Sequence, residues 1–190
     1  VDQNKPIIML PGRLTRLKGH EVFIRAIAKL NRNDIICLIV GDEPGKDHYR
    51  NELLALIKQL KLSSTIKLVG DCRHMPAAYK LSDIVISAST KPEAFGRVSC
   101  EAQLMNCLVI ATKHGGSLET ISPKLRPLMC LANDIDSMAN SIKQALNLSL
   151  EEKSQTLKLA QSFINENFTL EKMCRDTLDV YELECHSANV

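Results

Sequence analysis

Residues 81–103 read LSDIVISASTKPEAFGRVSCEAQ and contain a strand pattern, a loop and a helix pattern in that order. The continuous apolar run at 83–87 is typical of a buried strand. From residue 97 onward the apolar positions recur at helical spacing, and Gly96 provides the turn before them. Because a strand followed by a short loop and a helix is the repeating unit of α/β proteins, this segment predicts a parallel sheet.

The same alternation extends over most of the chain. Amphipathic runs at 20–30 and 49–60 predict helices that cross between parallel strands. Apolar runs without polar alternation predict about six strands buried on both faces, at 6–10, 35–40, 65–69, 83–87, 107–111 and 127–131. We therefore predict an α/β fold, with a Rossmann-like parallel sheet and helices on both faces.

Beyond the last predicted strand the pattern becomes entirely helical. Ser149 and Thr169 each stand just before an amphipathic run and predict helix N-caps. The predicted helices cover 134–146, 150–165 and 170–183. We expect residues 1–190 to form a single domain, in which 150–190 are a helical tail.

Bulk composition excludes several classes of protein. The net charge is only +2 and aromatic residues make up 4% of the chain, so a nucleic-acid partner is not expected. The apolar runs are too short to span a membrane. The seven cysteines form an odd set without a CxxC pair, which favours a reducing compartment over a disulfide scaffold or a zinc site.

Open parallel sheets bind ligands beyond the carboxyl ends of their strands, so a phosphate site is expected in the loops that follow the strands. The loop 11–19 lacks a dinucleotide fingerprint, but Arg13 and Lys18 could hold a diphosphate from two sides. The alternative is that these cations simply belong to a solvated surface loop.

The loop 41–47 is one residue too short for a P-loop and has Asp47 where that motif needs a hydroxyl, which argues against a kinase or ATPase.

The loop before the helix at residue 97 carries a second candidate anion site. The amides of Phe95, Gly96, Arg97 and Val98 would lie at a helix N-terminus, where the partial positive charge favours a phosphate.

Two carboxylates flank this turn. Glu93 precedes it and Glu101 lies about one turn inside the helix. Paired carboxylate oxygens match the adjacent hydroxyls of a sugar. The alternatives are a charge that balances the helix dipole for Glu93 and a surface ion pair for Glu101.

The third loop, 112–119, contains adjacent glycines that permit close backbone approach. We expect Ser117 to cap a short helix. His114 is interpreted as polar surface rather than as an acid or a base, because no partner for it is visible in the sequence.

Together these motifs resemble the retaining glycosyltransferases of family 4, which have the GT-B fold. The resemblance runs from residue 6 to 121 and rests on four stretches: GR with KG five residues later at 12–19, VGD at 40–42, E-x7-E from Glu93 to Glu101, and HGG-x-x-E at 114–119. Two departures stand out, since Asn106 and Glu43 replace glycines of the family pattern. Because Asn tolerates the left-handed conformation, we expect the turn at Asn106 to survive.

The resemblance implies that this chain is one half of a GT-B fold, the C-terminal half that binds a nucleotide-diphosphate sugar. It implies catalytic roles for Arg13, Lys18 and Glu93, with the two cations on the diphosphate. Glu93 and the amides of 95–98 would hold the transferred sugar and the distal phosphate. Glu101 would hold the hydroxyls of the ribose. Further donor contacts are implied for Gly12, and proximity to the base for Gly41, Arg73, His74 and Met75. Neither a metal nor a cofactor is expected, because the cations and the helix N-terminus stabilise the leaving diphosphate.

The resemblance also sets expectations about partners. The acceptor, a glycan or a lipid-linked sugar, would bind mainly on a missing N-terminal domain, against which the tail would pack. The chain alone would then be incomplete for turnover. Cell-envelope polysaccharide or lipopolysaccharide synthesis is the expected setting, with a cytoplasmic location and any peripheral membrane association through the missing domain. A sugar-nucleotide epimerase of the same fold and a non-catalytic domain that has lost its ligand remain as alternatives.

Overall fold

The structure is a computed structural model and describes residues 5–42, 45 and 47–187. Within these residues a single parallel sheet has the strand order β3-β2-β1-β4-β5. The five strands are β1 (Ile7–Pro11), β2 (Ile36–Val40), β3 (Ile66–Gly70), β4 (Ile84–Ser87) and β5 (Leu108–Ala111). All four residues of β5 are buried, and since neighbouring side chains point to opposite faces, the sheet is covered on both sides.

The prediction of about six strands was one strand too many. The run at 127–131 was expected to be a strand, but Arg126–Leu128 forms a 3-10 turn. Within this run, only Cys130 forms a β-bridge, with Thr112, the residue that follows β5. Pro127 explains the difference, because it has no amide hydrogen to donate to a ladder and its fixed φ suits the first turn of a helix.

Eight α-helices lie within the described part of the chain. The helix predicted at 20–30 is confirmed, and those predicted at 49–60 and 134–146 differ by one or two residues at their ends. The helices are α1 (His20–Leu30), α2 (Asp47–Gln59), α3 (Met75–Lys80), α4 (Arg97–Leu104), α5 (Ser117–Thr120), α6 (Ile135–Leu146), α7 (Leu150–Asn167) and α8 (Leu170–Ser187). Helix α1 packs on α6, and α4 packs on α7.

The expected caps and turn are present. Ser149 and Glu152 form a reciprocal capping box at the start of α7. The Thr169 hydroxyl accepts a hydrogen bond from the Lys172 amide, 3.1 Å away, at the start of α8. Asn106 has a φ of 58°, so the turn before β5 keeps its left-handed residue without the glycine. Glu43 lies outside the described residues.

The strand order places a switch point next to β1. The chain leaves β3 at one edge, crosses back and enters β4 on the other side of β1. The loops after β1 and β4 therefore open beside each other at the carboxyl edge of the sheet. No helix in the described ranges is long and apolar enough to cross a bilayer.

Candidate functional site

The loops after β1 and β4 meet through Lys18 and Glu93. The Lys18 ammonium forms an ion pair with Oε1 of Glu93, and the two side chains are 28% and 29% exposed. The Ser89 hydroxyl donates to the same oxygen. These contacts leave Oε2 of Glu93 without a partner among the described residues.

The charge on Glu93 is held in place by its neighbours. Burial by itself would raise the pKa of this carboxyl group. The hydrogen bonds from Lys18 and Ser89, together with the charges of Lys18 and His114, outweigh the burial and lower the pKa below its ordinary value. Glu93 is thus an anion at neutral pH, fixed at one oxygen.

The N-terminus of α4 lies directly beyond Glu93. Gly96 adopts the left-handed conformation at φ 87° and begins the helix. Ser99 is the first residue whose amide is bonded within the turn, to the Gly96 carbonyl at 2.9 Å. Over the described part of the chain, the amides of residues 95–98 have no protein acceptor. Four free donors at a helix start are an anion site.

Glu101 lies one turn further along α4 and is held at both oxygens. The Tyr79 hydroxyl donates to Oε2 at 2.9 Å, and the Arg97 guanidinium lies 3.4 Å from Oε1. The surface ion pair weighed from the sequence is thus present, but the closer contact is with Tyr79, which is only 2% exposed. Sequence reasoning missed Tyr79 because α3 has six residues and no clear periodicity.

A cleft of about 240 Å³ opens between these elements, beside Glu101. Of the residues named from the sequence, six line it: Gly12, Arg13, Gly41, Met75, Val98 and Glu101. The remaining lining residues are Pro11, Val40, Asp42, Asp71, Cys72 and Tyr79. Gly41 approaches the β1 loop so closely that a Cβ there would lie 2.1 Å from the carbonyl oxygen of Gly12.

Two residues named for the base do not line this cleft. His74 is exposed and caps α3, accepting a hydrogen bond from the Ala77 amide at 3.3 Å through Nδ1. Arg73 is exposed beside it. Arg13 is exposed and is one of the residues that line the cleft, and within the described ranges its side chain has no hydrogen-bond or ion-pair partner.

A second, much smaller cavity, of about 10 Å³, lies between the Glu93 loop and the loop before α5. His114 lines it, so the interpretation of His114 as polar surface is wrong. Its Nε2 donates to the Ser89 carbonyl at 2.9 Å, while Nδ1 is buried with no partner in the described part of the chain. The ring thereby supports the backbone of the residue that binds Glu93.

Ser117 does not cap α5 as expected. It is the first helical residue, and its hydroxyl lies 2.5 and 2.6 Å from the carbonyl oxygens of Thr112 and His114, which share its single hydrogen. The glycine pair before it does allow close approach, since the Gly116 amide donates to the Glu93 carbonyl at 2.8 Å. The two loops are thus joined through backbone.

In the described residues, no three His, Cys, Asp or Glu side chains converge in a way that could hold a metal ion. The polar groups of the site are instead cations, free amides and two carboxylates in separate cavities. This set can bind an anion flanked on either side by hydroxyl-bearing groups.

Comparison with known proteins gives relatives of one kind. The chain is 26% identical over 186 residues to an uncharacterized glycosyltransferase of Methanocaldococcus jannaschii, covering 96% of this chain and 46% of the relative. It is 31% identical over 140 residues to an N-acetylgalactosaminyltransferase of Campylobacter jejuni that acts on a diphospho-undecaprenol-linked sugar, covering 73% and 37%. The chain therefore spans less than half the length of these relatives.

Solved structures agree with this result. A glycosyltransferase from Rickettsia africae superposes with a TM-score of 0.87 at 37% identity, over 94% of this chain and 48% of that one. Anabaena HepE in complex with UDP and glucose superposes with a TM-score of 0.86 at 25% identity, also over 94% and 48%.

The family model for glycosyl transferases group 1 matches residues 1–166, a range that includes every residue of both cavities. On that match, and with the sheet and site in agreement, this chain belongs to the glycosyl transferases group 1 family.

Proposed function

We propose that this chain is the donor-binding half of a retaining, family 4 glycosyltransferase of the GT-B type, which transfers a sugar from a nucleotide-diphosphate sugar. The observation that carries the proposal is the row of free amides at residues 95–98, flanked by Glu93 on one side and by Glu101 with its cleft on the other. An anion site between two hydroxyl-binding carboxylates fits a diphosphate between two sugars. The related HepE has been solved with UDP-glucose.

Each residue has a proposed role. Arg13 and Lys18 hold the diphosphate, and the amides of 95–98 bind its distal phosphate. Glu93 accepts hydrogen bonds from the transferred sugar, and Glu101 from the ribose. The base lies against Gly41 and Met75, with Gly12 allowing close approach of the donor; Arg73 and His74 stand at the rim.

The ion pair between Lys18 and Glu93 is central to the proposed mechanism. An incoming diphosphate carries more negative charge than one carboxylate, so it draws the Lys18 ammonium towards itself. Glu93 is then released at Oε1 and can accept from a sugar hydroxyl while Ser89 still donates to it. As the bond to the sugar breaks, Lys18, Arg13 and the amides stabilise the charge on the departing diphosphate. In this proposal neither a metal nor a cofactor takes part.

The acceptor and the rest of the active site are proposed to lie on a second, N-terminal domain. The relatives are about twice as long as this chain, since the matched part is 46% and 37% of their length, which supports that division. Apolar side chains of α8, such as Leu170 and Met173, are mostly exposed, and we propose that the tail 150–190 packs towards that domain. We propose a lipid-linked or glycan acceptor in cell-envelope synthesis, and a cytoplasmic enzyme bound peripherally to the membrane through the other domain. The Campylobacter relative, which acts on a diphospho-undecaprenol-linked sugar, supports the lipid-linked acceptor.

Calorimetric titration with UDP, GDP and ADP, with and without Mg²⁺, tests the proposal. We expect saturable binding of at least one of them that does not depend on Mg²⁺. Replacing Arg13 or Glu101 by alanine removes a charged hydrogen-bonding group and should weaken this binding about tenfold. Glu166→Ala, at an exposed position of α7, is the matched control and should not change it. Unchanged affinity in both site variants, or no binding of any nucleotide, would contradict the proposal.

A further inference from the structure

Tyr79 is a buried residue whose hydroxyl is directed at the cleft. Its side chain is 2% exposed, and the hydroxyl donates to Oε2 of Glu101 at 2.9 Å. Burial raises the pKa of this phenol far above its ordinary value, and the hydrogen bond to Glu101 raises it further. Tyr79 is therefore a permanent hydrogen-bond donor to the carboxylate.

The position of Tyr79 is fixed by its backbone. Its carbonyl accepts a bond from the Cys107 thiol at 3.0 Å, at the start of β5, and another from the Ser82 amide at 2.9 Å, before β4. The backbone of this buried residue is thus anchored beside two strands of the sheet. A side chain held in this way can impose one orientation on a partner that is itself partly exposed.

Glu101 is such a partner. Its side chain is 40% exposed, and its other contact is with the Arg97 guanidinium, which lies 3.4 Å away and is 85% exposed. An exposed pair within one helix turn is weak and does not fix a rotamer. The bond from Tyr79 is therefore the contact that determines where the free lone pairs of Glu101 point.

We propose that Tyr79 is a positioning residue that orients Glu101 for the two hydroxyls of a ribose, and that it thereby makes the site select ribonucleotides over 2′-deoxyribonucleotides. This inference rests on the proposed function. A carboxylate with one orientation can accept from two adjacent hydroxyls together, whereas a carboxylate free to rotate binds either hydroxyl alone about as well. Loss of the orientation should therefore reduce selectivity more than it reduces binding of the deoxy ligand.

The test compares the nucleoside diphosphate that binds best, from UDP, GDP and ADP, with its 2′-deoxy form. For the wild-type chain we expect the deoxy form to bind roughly tenfold more weakly, the loss of one hydrogen bond to a charged group. In Tyr79→Phe we expect the ratio to fall to about two, mainly through weaker binding of the ribo form. The ring is retained, so the packing of α3 is preserved, and circular dichroism checks the fold.

Two further variants make the result specific. Tyr49→Phe changes a different tyrosine, half-buried, which packs on His20 away from the cleft, and should keep the wild-type ratio. In a Glu101→Ala background, Tyr79→Phe should have no further effect on the ratio, because the group that it orients is absent. That measurement separates positioning from a general effect on folding.

The outcomes are distinct. Equal weakening of the ribo and deoxy forms in Tyr79→Phe would show a purely structural role and overturn the inference, as would an unchanged ratio or a wild-type chain that does not discriminate. If no nucleoside diphosphate binds the wild-type chain, the proposed function itself fails and the inference falls with it. A ratio that collapses in Tyr79→Phe but not in Tyr49→Phe supports both.

Discussion

Lys18 and Glu93 form an ion pair although they are 75 positions apart in the sequence. One follows β1 and the other follows β4, and the sheet order makes these strands neighbours. The cation and the carboxylate of the candidate site therefore neutralise each other in the ligand-free chain. Binding of an anion must replace one of these partners, so affinity for a ligand and the state of this pair are linked.

The ion pair should contribute to stability in a pH-dependent way. The folded pKa of Glu93 lies below the ordinary value of 4.5. Its contribution is therefore present above about pH 4.5 and is lost as the pH falls through the lowered folded pKa. Glu93→Gln should make the acid loss of stability shallower, measured by urea unfolding between pH 3 and 7. Glu166→Gln, on the exposed face of α7, should keep the wild-type slope; equal slopes for wild type and Glu93→Gln would refute the prediction.

His20 should make stability depend on pH in a higher range. It is fully buried after the first loop, and burial lowers its pKa from 6.5 to about 4, while Nδ1 donates to the Thr15 carbonyl. The unfolded chain takes up a proton near pH 6.5 and the folded one does not, so stability is lost as the pH falls from 6.5 towards 4. The loss amounts to roughly 3 kcal/mol.

The variant His20→Gln should lack this part of the pH dependence, measured by denaturant unfolding at pH 7 and pH 4. His48→Gln is the control, because the His48 side chain is 89% exposed. If the His20 and His48 variants follow the same pH profile, burial of His20 does not control its protonation.

The uncharged side chain of Gln103 should contribute strongly to the stability of the fold around the site. It is fully buried on α4, its amide group donates to the Thr120 carbonyl at 2.9 Å, and its oxygen accepts from the Ser122 amide at 2.9 Å. Gln103→Leu keeps the volume but leaves two buried backbone groups unpaired, which costs about 3 kcal/mol. Urea unfolding measures this loss, and Gln144→Leu on the exposed side of α6 should cost less than about 1 kcal/mol. Similar costs for the two would contradict the assignment.

Gly19 and Gly70 form a matched pair for testing how tightly the first loop is packed. Both are left-handed, at φ 69° and 77°, so alanine pays a similar backbone cost of about 1 kcal/mol at either position. A Cβ at Gly19 would lie 2.0 Å from the Ala88 carbonyl oxygen, whereas one at Gly70 meets nothing within 4 Å. Gly19→Ala should therefore be at least about 2 kcal/mol less stable than Gly70→Ala in chemical denaturation. Equal stability would mean that the loop can move away from β4 at no cost.

The cysteines offer a test of the cleft without mutation. Cys72 lines the cleft and is partly exposed, and Cys174 is exposed on α8. A thiol reagent should label both in the native chain, and a bound nucleoside diphosphate should slow the labelling of Cys72 severalfold by covering it. The labelling of Cys174 should not change. Mass spectrometry of the two peptides gives both rates, and equal protection, or none, would place the ligand elsewhere.

The apolar runs predicted five strands to within one or two residues, because strands buried on both faces leave a continuous pattern. The false sixth strand contains Pro127, whose effect on a ladder outweighed the apolar pattern. Helix α3 was missed because it is short and carries Pro76 in its first turn. Short elements leave too few positions for a period to appear.

The motifs predicted that Lys18, Glu93 and Glu101 belong to one site. They did not predict which side chains these residues contact. The bonds of Glu93 to Lys18 and of Glu101 to Tyr79 join residues 75 and 22 positions apart. Such contacts follow from strand order and side-chain packing, which local spacing does not encode. The role of His114 was missed for the same reason, since the carbonyl to which it donates is 25 positions away.

Helix α8 differs physically from the rest of the chain. From residue 170 to 183 every side chain except Lys172 is exposed, including Leu178 at 61%. A helix that leaves most of its described side chains exposed gains little stability from packing, whereas β1 and β5 are enclosed by packed helices. The backbone of α8 should therefore open with a free energy near zero, while that of the central strands opens only with the whole sheet. We therefore expect the chain to unfold as two cooperative units, and we expect the order of α8 to depend on the surface that it meets.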